Sequence, residues 1–158
     1  MDSKGKTYMD RAFTELHEAE ILFKISGDSI KKREFQLEED ITFYSGAISH
    51  AYYAIFYAAK AMLLTKNIVT KSPEIHKKTF ELFKKEFVDT GILDTELLMI
   101  YKKMIIRADE LLQIFKDEKW KRGHFTYETI PQANQKPAEE SIEHATKFVK
   151  NIRTVIKE

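Results

Sequence analysis

The chain has 158 residues, 43% hydrophobic and 32% charged, with 26 Lys plus Arg against 25 Asp plus Glu. That size suits a single domain spanning 1–158, and the apolar content with balanced charge excludes disorder and a globally cationic nucleic-acid or membrane binder, so any such site is a local patch. No cysteine occurs, which excludes disulfides, thiolate catalysis and Cys-ligated zinc; the longest apolar runs fall short of the ~18 residues of a membrane span, and the start lacks a signal-peptide core, so a cytoplasmic location is expected.

In chain order, residues 6–25 place Tyr8, Ala12, Leu16, Ala19 and Phe23 on one helical face, and Gly27 reads as a left-handed stop. Residues 28–40 are mostly polar and read as a connection with some helical character. The second long helix, 39–66, carries Tyr44, Ala47, Ile48, Ala51, Tyr52, Ile55, Ala58, Ala59 and Met62 as one stripe, widened by Phe43, Tyr53, Phe56, Tyr57 and Leu63. A helix apolar nearly all round is a buried central helix, and its small residues let neighbours approach closely.

Ser72-Pro73-Glu74 reads as a helix start, with a hydroxyl cap and proline at the first helical position. His76, Phe80, Phe83 and Phe87 then form a seam that Gly91 ends, and Asp94 caps the next helix. There Leu97, Tyr101, Met104, Ala108, Leu111 and Phe115 repeat the spacing, flanked by Leu98, Ile105 and Leu112. Residues 116–136 break the pattern, and Pro137 opens a last helix with Ile142, Ala145, Val149, Ile152 and Ile156 inward. No segment alternates with period two. The expected fold is all-α, an antiparallel up-and-down bundle of four to five helices.

Bundles often hold carboxylate-bridged metals through Glu-x-x-His pairs. Three positions before His17, His50, His76, His124 and His144 stand Thr14, Ala47, Pro73, Lys121 and Ser141, so that signature is missing and no cofactor is expected. A site assembled across helices from His17, His50 and His76 stays open. No phosphate loop or nucleophile elbow can be written, and adjacent Ser49 and His50 point about 100° apart on a helix. The segment from Lys119 to Glu128 alternates basic and aromatic residues, including Trp120, Arg122, His124, Phe125 and Tyr127. That mixture grips phosphate while stacking on bases; it would equally cover the end of a bundle. Tyr53 and Tyr57 stand either in the core or toward a ligand. Arg107, beside Ala108 on the core seam, needs a carboxylate or a ligand phosphate.

The string Ser49-His50-Ala51-Tyr52-Tyr53-Ala54-Ile55-Phe56-Tyr57-Ala58-Ala59-Lys60-Ala61-Met62-Leu63-Leu64 resembles the S-x-A-Y-Y-A-x-F-x-A-A-x-A-L-L helix of small stand-alone HEPN proteins of bacteria and archaea. The likeness continues through His76 after Lys71-Ser72, through Phe87-Val88 and Gly91, and through the closing helix from Ala138 to Val149. The resemblance implies a bundle of four or five helices, a homodimer, and a role in nucleotide or RNA transactions. It also implies a nucleotidyltransferase partner in a toxin–antitoxin pair. Active members of the family are metal-independent RNases that use Arg, four to six residues, then His. In such a site histidine moves the ribose 2′-hydroxyl proton and arginine offsets phosphate charge.

Here Arg122 and His124 have one residue between them, and Arg11 and His17 have five but lie on the first helix, where the family does not carry its motif. The family's late Arg-then-aromatic feature resembles Arg122 with Tyr127; Arg107, followed by Asp109 rather than by an aromatic, is the other candidate arginine, and the former is preferred. The expected function is a nucleotide- or RNA-binding helical protein, with Tyr53, Tyr57, His76, Arg107, Arg122 and Tyr127 as binding residues. Two alternatives stand beside it. One is a metal-independent ribonuclease with Arg122 and His124 catalytic, the other a non-catalytic dimeric adaptor.

Overall fold

The computed structural model describes residues 2–112 and 135–157. Helix α1, Ser3–Ser26, is capped by Asp2, whose carboxylate accepts from the Gly5 N–H at 2.7 Å. Its inward face is Met9, Ala12, Leu16 and Ala19. Gly27 ends it, but with φ −104° rather than the expected left-handed conformation. The reason is local: Gly27 and Asp28 N–H bond back to Lys24 and Ile25 carbonyls at 3.3 and 3.2 Å, tightening the last turn. The chain then passes directly into α2, Ser29–Glu34, inside the expected connection and capped by Asp28.

Helix α3 spans Tyr44–Leu64, five residues later than the pattern suggested at its start. The Phe43 N–H donates to Ser26 Oγ at 2.7 Å, and that hydroxyl donates to the Leu22 carbonyl at 2.7 Å, pinning the entry of α3 to the exit of α1. Fourteen of the 21 residues of α3 are buried, which makes it the central rod. The short helix α4, Ile75–Phe83, runs on as a π-turn over Lys84–Val88. It begins after Pro73, against expectation: Glu74 has φ +56°, no side chain caps the helix, and the Ser72–Pro73 peptide is cis. Gly91 does take the left-handed conformation, φ +79°, and Asp94 accepts from the Glu96 N–H at 2.8 Å at the start of α5, Thr95–Leu112. The last helix, α6, is Gln135–Lys157.

Cross-helix partners give the directions. Against α1, Gly46 meets Leu22, His50 meets Glu15 and Tyr57 meets Tyr8, so α1 and α3 are antiparallel. The Glu96–Lys147 and Arg107–Glu140 pairs make α5 and α6 antiparallel. Ala138 packs with Ala47 and Ile48, while Ile156 lies near Ala61 and Leu64, so α6 runs parallel to α3 as its diagonal neighbour. The four long helices α1, α3, α5 and α6 therefore form the expected up-and-down bundle, with α2 and α4 in the connections. A parallel diagonal usually sits far apart; here the alanines of α3 allow direct packing. A Cβ on Gly46 would stand 3.2 Å from Leu22 Cδ1, a measure of how close α1 lies.

The core is aromatic beneath α4: Phe83 touches Phe87, Tyr101 and Phe148, with ring centroids 5.4 to 6.1 Å apart. All four rings are at most 1% exposed. Among the described residues there is no strand, and no helix is long and apolar enough to cross a membrane.

Candidate functional site

Positions 50, 53, 57 and 60 recur on one side of α3 at helical spacing, flanked by α1 and by the start of α4. Tyr53 and Tyr57 are half-buried, with ring centroids 6.4 Å apart. His76, from the first turn of α4, meets Tyr53 edge-on at 5.8 Å and lies 4.3 Å from the Phe56 ring. From α1, Tyr8 stacks on Tyr57 at 6.3 Å and the Arg11 guanidinium sits over the same Tyr57 ring at 5.6 Å. Lys60 places its ammonium over Tyr8 at 5.0 Å and Phe56 at 5.6 Å. The structure thus brings together three of the expected residues, Tyr53, Tyr57 and His76, and adds Tyr8, Arg11 and Lys60.

Protonation states follow from burial. Tyr52 is fully enclosed, and burial, then the neighbouring Tyr101, Tyr53 and Asp109, pushes its phenol well above the usual range, so it keeps its proton. Its hydroxyl lies 2.8 Å from His76 Nδ1, and the enclosed O–H is satisfied by donating there. Burial first, and the nearby Lys60 second, hold His76 down to about 4 from an ordinary 6.5. The imidazole is therefore neutral, with Nδ1 accepting and Nε2 carrying the hydrogen that remains to be offered. Tyr53 is also raised, by burial and by Tyr57 and Glu15.

One turn away lies a second polar group. Glu15, 3% exposed at its side chain, takes the Arg11 guanidinium at 2.6 Å and His50 Nδ1 at 2.5 Å. Glu18 reaches the same Nδ1 at 2.8 Å. Each of the three offers a ligand atom within 4.8 Å of the others, a spacing a cation could bridge. Arg11 already supplies a positive charge to Glu15. The pattern did carry a signal for this group: Glu15 falls between Ala12 and Ala19 on the inward face of α1, where a charged residue needs partners. The histidines weighed as a joint metal set have separate surroundings, since His50 pairs with the two glutamates, His76 with Tyr52, and His17 is 72% exposed beside Glu20.

Arg107 is placed elsewhere. Its guanidinium donates to Ser141 Oγ at 3.0 Å and the Pro137 carbonyl at 3.3 Å, and it pairs with Glu140 at 3.2 Å. It fastens α5 to the first turns of α6, the structural pairing that its seam position allowed. The Lys103 ammonium, burial and Arg107 act together on Glu140, and the two cations prevail to hold its carboxyl below the usual range. Arg122, His124 and Tyr127, with the rest of the basic–aromatic segment, lie outside the described residues.

Comparison with known proteins agrees with this architecture. The family model for the HEPN domain matches residues 19–158. A protein of Methanocaldococcus jannaschii named "Putative toxin MJ0605" is 30% identical over 141 residues, covering 89% of this chain and 90% of the relative. A second from the same organism, "Putative toxin MJ0142", is 42% identical over 73 residues, 43% of this chain and 48% of that one. A "UPF0332 protein" of Thermotoga maritima is 38% identical over 58 residues, 37% and 42% of the two chains. With the all-helical bundle, its central Tyr-Tyr-Ala helix and a family match over most of its length, the chain belongs to the HEPN domain family.

Proposed function

We propose that this HEPN protein is toxin-like and acts by binding a nucleotide or RNA against the face formed by Tyr53, Tyr57 and His76. In this reading it works as a homodimer with a nucleotidyltransferase as antitoxin partner. The observation that carries the binding reading is the half-exposed row of rings ending at a neutral imidazole and overlaid by Arg11. Bases stack on aromatic faces at about 1–3 kcal/mol each, and guanidinium and ammonium groups meet the phosphates between them. The names of the two archaeal relatives support the toxin-like role. Fluorescence anisotropy of a labelled single-stranded RNA, with competing mononucleotides, tests it. Wild-type protein should bind and Tyr57→Ala should bind about tenfold or more weakly; equal binding by Tyr53→Ala, Tyr57→Ala and wild type removes the proposal.

A second reading, metal-independent RNA cleavage, is supported by His50, whose Nδ1 is held by the buried Glu15 while Arg11 stands on the same carboxylate. A carboxylate-oriented imidazole is suited to take the 2′-hydroxyl proton, and an arginine to offset phosphate charge. Incubation with RNA in EDTA decides it: His50→Gln should abolish cleavage. Cleavage that survives His50→Gln and is lost in His124→Ala would move the acid–base role to the basic–aromatic segment.

A further inference from the structure

Lysine is almost never buried without a partner, because an ammonium taken from water must recover its hydrogen bonds. Among the described residues two lysines are buried, Lys32 at 5% and Lys60 at 9% exposure. Lys32 follows the rule, donating to the Glu39 carbonyl at 2.7 Å. Lys60 does not: among the described residues its ammonium has only the faces of Tyr8 and Phe56, at 5.0 and 5.6 Å. Ring faces return about 1–2 kcal/mol of cation–π attraction, but they accept no conventional hydrogen bond from the three N–H donors. The tip is not sealed, since the fully enclosed and unpartnered side-chain polar atoms among the described residues are Tyr101 Oη and His144 Nδ1. Lys60 thus buries its stem among rings while its ammonium reaches solvent, paired with no carboxylate among the described residues, a placement that leaves the charge free to meet an anion.

We infer that Lys60 is the receptor for a phosphoryl group, seated where Tyr8, Phe56 and His76 converge beside the tyrosine row. The inference rests on the nucleotide- or RNA-binding reading for its choice of anion: a base on Tyr53 or Tyr57 carries its phosphate along α3 toward Lys60, three residues beyond Tyr57. The Phe56 ring touches both His76, at 4.3 Å between centroids, and the Lys60 ammonium. Phosphate brings several acceptor oxygens to a site with three ammonium donors and a neutral imidazole whose Nε2–H is not used by Tyr52. The positive charge of Lys60 is already felt at His76, where it opposes protonation.

The test uses the full chain, with His76 followed by NMR. Inorganic phosphate should raise the pH midpoint of His76 in wild-type protein, because a bound anion cancels the Lys60 charge. Lys60→Met, which keeps the aliphatic stem, should abolish that response and weaken binding of a nucleoside monophosphate roughly 10- to 100-fold. Binding of the parent nucleoside should be unchanged. Lys60→Arg should retain the response, and circular dichroism checks that both variants fold. Persistence of the Lys60 effect with a dinucleoside phosphodiester assigns the seat to an RNA backbone; its loss there, with the monophosphate effect intact, assigns it to a terminal phosphate. If phosphate moves the His76 midpoint but no nucleoside or RNA binds, the anion seat stands and the stacking reading falls. If nucleotides bind wild-type and Lys60→Met equally well, the anion seat falls and the stacking reading stands. A His76 midpoint indifferent to phosphate in wild type also overturns it.

Discussion

Replacing Tyr52 by phenylalanine removes one hydroxyl and leaves the ring packed against Tyr53, Phe56 and His76. The deleted hydrogen bond to His76 Nδ1 is worth about 1 kcal/mol net, and the acceptor left behind on a half-buried ring adds a part of its desolvation cost, giving about 1–2 kcal/mol in total. The substitution also acts on pH dependence. In the wild type His76 falls from 6.5 in the unfolded chain to about 4 in the folded one. As pH drops below about 6.5 the unfolded chain therefore takes up the proton first. Stability from burying the neutral imidazole is full above that pH and is lost progressively down to about pH 4, where the folded form protonates too. The full difference would be about 3 kcal/mol, reduced to about half for a ring that keeps one edge in water.

Without the hydroxyl, the neutral form loses its donor, so the His76 midpoint should rise while staying below 6.5, since burial and Lys60 still oppose protonation, and the loss of stability on acidification should become shallower. Histidine Cε1–H NMR titration reads the first effect, and urea melts at about pH 7.5 and about pH 5 read the second. A Tyr52→Phe protein whose His76 midpoint does not rise at all relative to wild type, with undiminished stability, would refute the donor assignment, and with it the tautomer.

Further outcomes follow from the packing. Phe83→Ala empties a site with no exposure and three ring neighbours, and should cost about 3–5 kcal/mol in chemical denaturation. Ala58→Leu adds volume to a fully buried position on the central helix and should cost about 1–3 kcal/mol, read as a lowered Tm. Glu15→Ala should cost about 1–3 kcal/mol, because it strips the shared carboxylate from Arg11 and His50, whereas Lys6→Ala, which breaks an exposed pair, should change stability by less than about 0.5 kcal/mol.

The architecture was legible where burial imposes a period. Helix α3 is apolar almost all round because it touches every other long helix, and Phe80, Phe83 and Phe87 are spaced to face a single seam. Gly91 and Asp94 were legible because a left-handed residue and a carboxylate cap are local requirements. The start of α4 was not, since Ser72-Pro73-Glu74 has the composition of a cap while the backbone at Glu74 turns the other way and delays the helix to Ile75. The candidate site was legible only in part. Tyr53, Tyr57 and His76 stood out by type and spacing, but His76 is kept neutral by its burial first and by Lys60 one helix away second, with the Tyr52 hydroxyl acting as its hydrogen-bond partner. A second partner of Glu15 is a histidine 35 positions along the chain. These are tertiary relations, which periodicity does not encode. Arg107 shows the same limit: its half-buried position was readable, its partners on α6 were not.

The binding face is tested most directly by photocrosslinking a single-stranded RNA carrying 4-thiouridine to the full chain and mapping the adducts by mass spectrometry. Adducts at Tyr53 and Tyr57, diminished when Lys60 is replaced by methionine, are the expected result. Adducts confined to the opposite side of the bundle, such as the α5–α6 surface around Lys103 and Glu140, would contradict the account.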